Sequence, residues 1–136
     1  MSSENVAIVR RINEPWARGD FTSVDWADPE IVFRTPEGLR QGVARGVEAM
    51  GWEWTGWLHT FENFRSEAFE YFDAGDQVVT FNRFSGSGKA SGVPLGELPG
   101  CARFRLRDGK VTELEISTDR KQALRDAGLD RELAGS

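Results

Sequence analysis

Apolar side chains recur every three or four residues in two long stretches of the chain, and this spacing predicts two amphipathic helices. Residues 4–18 carry Ile8, Ile12 and Trp16 on one stripe, and Gly19 supplies a stop signal after them. The second stretch, residues 46–60, carries a stripe made of Val47, Met50, Trp54, Trp57 and Leu58. We therefore expect two long helices in the first half of the chain.

Two shorter segments also have helical spacing. Phe21 and Val24 lie one turn apart, which predicts a short helix over 21–26. Residues 120–127 predict a terminal helix that ends at Gly128.

Strand patterns fill most of the remaining chain. Apolar and polar side chains alternate in several runs after the second long helix, as they do in strands with one buried and one wet face. The predicted strands are 30–34, 61–72, 77–85, 101–107 and a last run after Gly109. Turns at Ala74-Gly75-Asp76 and Asp108-Gly109 fit hairpins. Helices followed by a strand meander predict one α+β domain over residues 1–136.

The composition of the chain argues against two classes of protein and favours a third. A net charge of −5 argues against a nucleic-acid-binding surface, and no apolar run is long enough to span a membrane. Cys101 is the only cysteine, which together with the lack of a signal peptide predicts a cytoplasmic protein. Five Trp and nine Phe residues predict an aromatic core or an aromatic pocket. The expected partner is a hydrophobic small molecule.

Four segments occur in a recognisable order: Ala17-Arg18-Gly19-Asp20 at the first helix end, 26–33, 104–111 and Thr118-Asp119-Arg120. This layout resembles the nuclear transport factor 2-like superfamily, which includes ketosteroid isomerase, limonene epoxide hydrolase and SnoaL-like polyketide cyclases. The resemblance implies a cystatin-like α+β roll: a cone-shaped, curved antiparallel sheet wrapped round the N-terminal helices, with one central pocket. It also implies a homodimer through the outer face of the sheet. No spacing of residues indicates a cofactor or a metal site.

The isomerase's catalytic residues do not carry over to this chain. Its tyrosine, its base and its oxyanion acid fall near Ile12, Arg34 and Ala102, and none of these side chains has the required chemistry. Limonene epoxide hydrolase and the SnoaL-type cyclases place an aspartate at the end of the last strand, where Asp119 stands. The hydrolase also needs a carboxylate on the middle strand, and Phe81-Asn82-Arg83 offers none.

Asp119, Arg83 and His59 are the candidate catalytic residues, and each has a second interpretation. Asp119 is either a general base or the N-cap of the last helix, since Gln122 follows three residues later. Arg83 shares a strand face with Phe81, so it is a pocket cation if that face points inward and an exposed arginine otherwise. His59 is the only histidine and therefore a candidate for acid–base chemistry, but a single histidine is often structural or exposed.

The candidate substrate-binding residues are aromatic side chains that either line a pocket or fill the core: Trp16, Trp54, Trp57, Phe81 and Phe104. Two functions follow from these alternatives. The first is a cyclase, isomerase or hydrolase that uses Asp119 on a hydrophobic small molecule. The second is a non-catalytic protein of the same fold that binds a small molecule or dimerises.

Overall fold

The computed structural model describes residues 2–35, 42–89, 92 and 98–129. In chain order, the helices and strands within this part are α1 Ser2–Ala17, β1 Ala27–Thr35, β2 Gly42–Arg45, α2 Val47–Leu58, β3 Phe61–Ala74, β4 Gln77–Gly88, β5 Leu98–Arg107, β6 Lys110–Ser117 and α3 Arg120–Asp126. The predicted α+β class is confirmed. No helix in the described ranges is long and apolar enough to cross a membrane.

The six strands form one curved, unclosed sheet in the order β2-β1-β6-β5-β4-β3. Four of the five neighbouring pairs are antiparallel. Strand β2 and its pairing with β1 were not predicted from the sequence. Strands β1 and β6 run parallel, so the predicted antiparallel sheet contains one parallel pair. Parallel neighbours need a long crossover, and the chain between β1 and β6 provides one.

Side chains alternate between two faces of this sheet. On β4 and β5, Val78, Ala102 and Phe104 point towards α1 and α2, and we call this the inner face. Val79 and Cys101 point to the opposite side, the outer face, where they pack against α3. Every second residue therefore changes face, as strand geometry requires.

The main core lies on the inner face and is strongly aromatic. Trp16 of α1 contacts Trp54 of α2 with ring centroids 5.3 Å apart, and Phe104 of β5 at 6.0 Å. All three side chains are buried, and Phe104 is fully so. Burying a large aromatic side chain removes much apolar surface from water, so this cluster is the chief stabilising element that joins both helices to the sheet.

The short helix predicted over 21–26 is wrong, because residues 21–24 are irregular and a turn follows them. The carboxylate of Asp20 accepts hydrogen bonds from the backbone N–H of Thr22 at 3.1 Å and from its hydroxyl at 2.7 Å. Such a local turn competes with the helical conformation. Phe21 and Val24 still pack against the core. Both positions are therefore apolar because they are partly buried, although they do not belong to a helix. The sequence Pro36-Glu37-Gly38 also predicts a turn after the first strand, and these residues lie outside the described part of the structure.

Candidate functional site

A cleft of about 310 Å³ opens where the C-terminal ends of α1 and α2 meet the beginning of β3. We call it the helix-end cleft. Its walls are formed by Arg18, Gly19, Phe21, Leu58, Phe61, Asn63, Phe64 and Arg65. Two of these residues are cationic, and none is acidic.

Unusual backbone conformations shape this cleft. Asn63 has a φ of 56°, a left-handed conformation that few residues other than glycine adopt, and it lies where the β3–β4 register shifts. Gly19 has a φ of 82°, and a Cβ at this position would come within 3.2 Å of the carbonyl oxygen of Phe64. The end of α1 can therefore approach β3 closely only because residue 19 lacks a side chain.

The apolar wall of the cleft is continuous with the core. The ring centroid of Phe64 lies 5.7 Å from that of Phe21 and 5.5 Å from that of Phe61. Phe21 in turn stacks on Trp16 at 5.9 Å. A molecule in the cleft would therefore contact aromatic surface that is held in place by the core.

Deeper on the inner face, four uncharged polar side chains form a buried network. The Asn82 amide nitrogen donates to Ser66 Oγ at 2.8 Å and to Asn13 Oδ1 at 3.2 Å. Its amide oxygen accepts from the Thr80 hydroxyl at 2.6 Å. Asn13 completes the network by donating to the carbonyl of Val9 at 3.0 Å. The strand pattern did not predict this network, although the polar residues Thr80 and Asn82 lie on one face of a predicted strand.

The structure places Asp119 at the N-terminus of α3, where it is exposed to solvent. Its carboxylate accepts a hydrogen bond from the backbone N–H of Gln122 at 3.0 Å, so the predicted helix cap is confirmed. Neither Arg83 nor His59 lies within ion-pair distance of this carboxylate in the described part of the chain. A role for Asp119 as a base stays a prediction.

Arg83 and His59 lie in separate places. Arg83 is exposed on the outer face, where its guanidinium carbon lies 4.3 Å from the centroid of the Phe69 ring. This is the exposed-arginine alternative, because the strand face that Arg83 shares with Phe81 points outward. His59 is exposed just after α2 and directly follows Leu58 of the cleft. The three candidate catalytic residues therefore do not form one constellation.

The candidate substrate-binding residues divide between the two faces. Trp16, Trp54 and Phe104 are packed in the inner core. Phe81 lies on the outer face, 4.7 Å from the ring of Phe72. The side chain of Trp57 lies outside the described part of the structure. Ligand binding by these five residues stays a prediction, and only the inner three continue towards the cleft.

The outer face carries an ionic network. Glu113 accepts from Arg34 at 2.9 Å and from Arg103 at 2.8 Å, while Glu115 lies 3.8 Å from Arg103. Burial raises the pKa of Glu113, but its hydrogen bonds from the two arginines outweigh burial and hold the pKa below its ordinary value. Burial raises the pKa of Glu115 above its ordinary value. Arg105 also lies 3.9 Å from Glu113, so the network joins three guanidinium groups to two carboxylates.

Metal chemistry finds no support among the residues that the structure describes. No group of three or more His, Cys, Asp or Glu side chains there could hold a metal ion. Cys101 is buried, and its sulfur lies 3.4 Å from the carbonyl oxygen of Ser117.

Comparison with known proteins places this geometry in a family. The model of the SnoaL-like domain family matches residues 9–114. No curated protein matches the chain. The resemblance inferred from the sequence motifs is confirmed by the family match and by solved structures with the same fold.

Three of these structures show the range of the fold. A protein described as a SnoaL-like polyketide cyclase from Jannaschia is 21% identical, with a TM-score of 0.74 over 94% of this chain and 93% of that one. TerC, co-crystallised with polyporic acid, is 19% identical, with a TM-score of 0.73 over 91% and 97%. A protein with a ketosteroid isomerase-like fold from Catenulispora acidiphila, in complex with trimethylamine, is 18% identical, with a TM-score of 0.68 over 90% of this chain and 92% of that one. At these identities the likeness concerns the fold alone.

Proposed function

The chain belongs to the SnoaL-like domain family, and we propose that it binds an apolar small molecule in the helix-end cleft. The observation that carries this proposal is the cleft itself, which has about 310 Å³ of space and an aromatic wall. Sites for small molecules are concave and combine apolar surface with a few placed polar groups. The cleft is concave and combines three phenylalanine rings with the polar side chains of Arg18, Asn63 and Arg65, and polar atoms make up the larger part of its exposed lining.

Two neighbours in the fold support the class of ligand. TerC was crystallised with polyporic acid and the Catenulispora acidiphila protein with trimethylamine, both of them small organic molecules. Their difference in size and charge means that neither compound is proposed as the ligand of this chain. They support only the binding of a small molecule by this fold.

The packing of the core favours the cleft over the centre of the fold as the binding place. Trp16 contacts both Trp54 and Phe104, and all three residues are at most 9% exposed. A molecule lodged among them would have to displace close-packed side chains, which is costly. Phe21, Phe61 and Phe64 line existing space and need no such rearrangement.

Catalysis by Asp119 is not part of this proposal. Its carboxylate is exposed to solvent and caps α3. A general base for the cyclase, isomerase or hydrolase chemistry expected from the sequence must lie within reach of a bound substrate, and Asp119 is not among the residues that line the helix-end cleft. Binding without catalysis therefore fits the described geometry better.

We also propose that the chain forms a homodimer through the outer face of the sheet, as the family resemblance implies. Phe69 on the outer face is 42% exposed, and Arg83 packs on its ring. A dimer through this face would bury both side chains. Sedimentation of the wild type and of Phe69→Ser over a range of concentrations tests it. The dimer predicts weaker association in the variant, and a wild-type protein that stays monomeric throughout would contradict it.

Fluorescence titration with N-phenyl-1-naphthylamine, a neutral aromatic probe, tests binding in the cleft. Phe61→Ser removes a ring from the cleft, and Phe69→Ser is a matched control because it removes a ring from the outer face of the same strand. We expect the Phe61 variant to bind about tenfold more weakly, the equivalent of roughly 1.4 kcal/mol. The control should bind like the wild type. Equal affinities in all three proteins would contradict the proposal, as would a wild type that does not bind the probe.

A further inference from the structure

We infer that the helix-end cleft selects ligands that pair an aromatic body with an anionic group, of the carboxylate or sulfonate class. The inference rests on the proposed function and adds the charge of the ligand. Both charged residues that line the cleft, Arg18 and Arg65, are cationic, in a protein whose net charge is −5. The cleft therefore differs in sign from the protein as a whole.

The two arginines belong to the same rim. Arg65 Cγ lies 3.7 Å from the point that a Cβ of Gly19 would occupy, so the stem of Arg65 crosses the residue next to Arg18. Arg65 comes from β3 and Arg18 from the C-terminal end of α1. The absence of a side chain at Gly19 thus brings two cationic side chains from different elements to one side of the cleft.

Neither guanidinium is strongly engaged elsewhere. Arg18 lies 3.5 Å from the carboxylate and from the carbonyl oxygen of Glu14, and its side chain is 62% exposed. Such an exposed ion pair contributes little free energy, so Arg18 can exchange Glu14 for another anion at little cost. Among the described residues, no carboxylate lies within ion-pair distance of Arg65. An incoming anion would therefore not have to break a strong ion pair.

The acidic groups next to the rim do not line the cleft. The Asp20 carboxylate is held by Thr22 through two hydrogen bonds and also interacts electrostatically with Arg18, and Glu62 is exposed. Asn63, which does line the cleft, has an amide that can donate to an anion. Guanidinium groups bind carboxylate and sulfonate oxygens through charge-assisted hydrogen bonds. Phe21, Phe61 and Phe64 would accept the aromatic body.

A matched pair of probes tests the inference. 8-Anilino-1-naphthalenesulfonate and N-phenyl-1-naphthylamine share one aromatic frame, and only the first carries a sulfonate. Affinities of both probes are measured for the wild-type protein, Arg18→Gln and Arg65→Gln. Arg107→Gln is the control, because Arg107 is exposed and its nearest carboxylate is that of Asp108 at 4.0 Å.

We expect each cleft variant to bind the sulfonate probe about threefold to tenfold more weakly, because one charge-assisted contact is lost. The neutral probe should bind all four proteins alike. Added salt should lower the affinity for the sulfonate probe and leave the affinity for the neutral probe unchanged, since ions screen exposed charges.

Three other results would be decisive. If the sulfonate gives no advantage and the arginine variants bind it like the wild type, the inference is overturned while the proposed cleft stands. If the variants lose affinity for both probes equally, the arginines only shape the cleft, and the inference is again overturned. If the wild type binds neither probe, the proposed function fails as well.

Discussion

The two faces of the sheet bury their polar side chains in different ways. On the inner face Asn82 joins Asn13, Ser66 and Thr80 in a network without any charge. On the outer face Arg103 is 6% exposed and meets carboxylates. In the inner network, hydrogen bonds alone offset the free-energy cost of removing the polar groups from water. In the outer network, burial of charged groups also requires partners of opposite charge.

The two faces should therefore respond differently to a change in pH. None of the side chains in the inner network titrates, so its contribution to the free energy of unfolding should not change with pH. The outer network contains Glu113 and Glu115, whose pKa values are shifted in opposite directions. The inner face should therefore fix most of the stability, and the outer face most of its pH dependence.

The largest expected effect comes from the inner core. Phe104→Ala should lower the free energy of unfolding by about 3–5 kcal/mol, because it leaves a cavity in a fully buried aromatic cluster. Phe72→Ala on the outer face should cost less, since that side chain is only half-buried. Urea unfolding of both variants measures the difference. Equal losses would contradict the larger contribution of the inner face to the free energy of unfolding.

Removal of the central amide of the inner network should have the next largest effect. Asn82→Ala leaves the side chains of Asn13, Ser66 and Thr80 short of a partner, at a cost of about 1–3 kcal/mol. The loss, measured by urea unfolding, should be the same at pH 5 and pH 8. A loss that changes between these pH values would mean that an ionisable group depends on the network.

The outer network should respond to acid. Since the pKa of Glu113 is lower in the folded protein than the ordinary 4.5, its stabilisation is present above pH 4.5 and is lost as pH falls through the folded value. We expect Glu113→Gln to be less stable than the wild type at pH 7 and to approach it in acid. Unfolding curves at successive pH values measure this convergence.

Glu115→Gln is the matched control, because the sign of its shift is reversed. The folded pKa of Glu115 is raised above 4.5, so the folded state holds the proton more tightly. The wild type should therefore gain stability relative to Glu115→Gln as pH falls from neutral towards 4.5. Parallel pH profiles for the two variants would contradict the opposite shifts.

The smallest effect is expected at Asp119. Asp119→Ala should cost about 1 kcal/mol, because Gln122 N–H loses its acceptor, whereas Asp119→Asn should be nearly neutral since asparagine also caps helices. Thermal unfolding compares the two variants. The asparagine variant also separates the cap from a base: any turnover that it abolishes at unchanged stability would restore the catalytic interpretation.

The sequence predicted the regular elements well where their signals are local. Three helices and the strands of the meander follow from apolar periodicity, and Gly19 ends α1 as expected. The helix predicted over 21–26 was wrong because Phe21 and Val24, three residues apart, are both packed against the core without a helix between them. The parallel pairing of β1 with β6 could not be predicted, because it joins residues about eighty positions apart.

The candidate site was harder to predict, for a related reason. Val79 and Phe81 are apolar, which favoured an inward face for Arg83, yet α3 covers that side and makes it a second buried face. The true inner positions include Thr80 and Asn82, which are polar. Polarity therefore did not distinguish the faces of β4. The bulge at Asn63 also has no local signal strong enough to reveal the cleft.

An NMR titration of the isotope-labelled protein with N-phenyl-1-naphthylamine tests directly whether a small molecule binds in the helix-end cleft. We expect the largest shifts of backbone amide signals at Gly19, Phe21, Asn63 and Phe64, and no shifts at Arg83 and Asp119. Shifts centred on Arg83 and Asp119 would place the binding site on the outer face and contradict binding in the cleft.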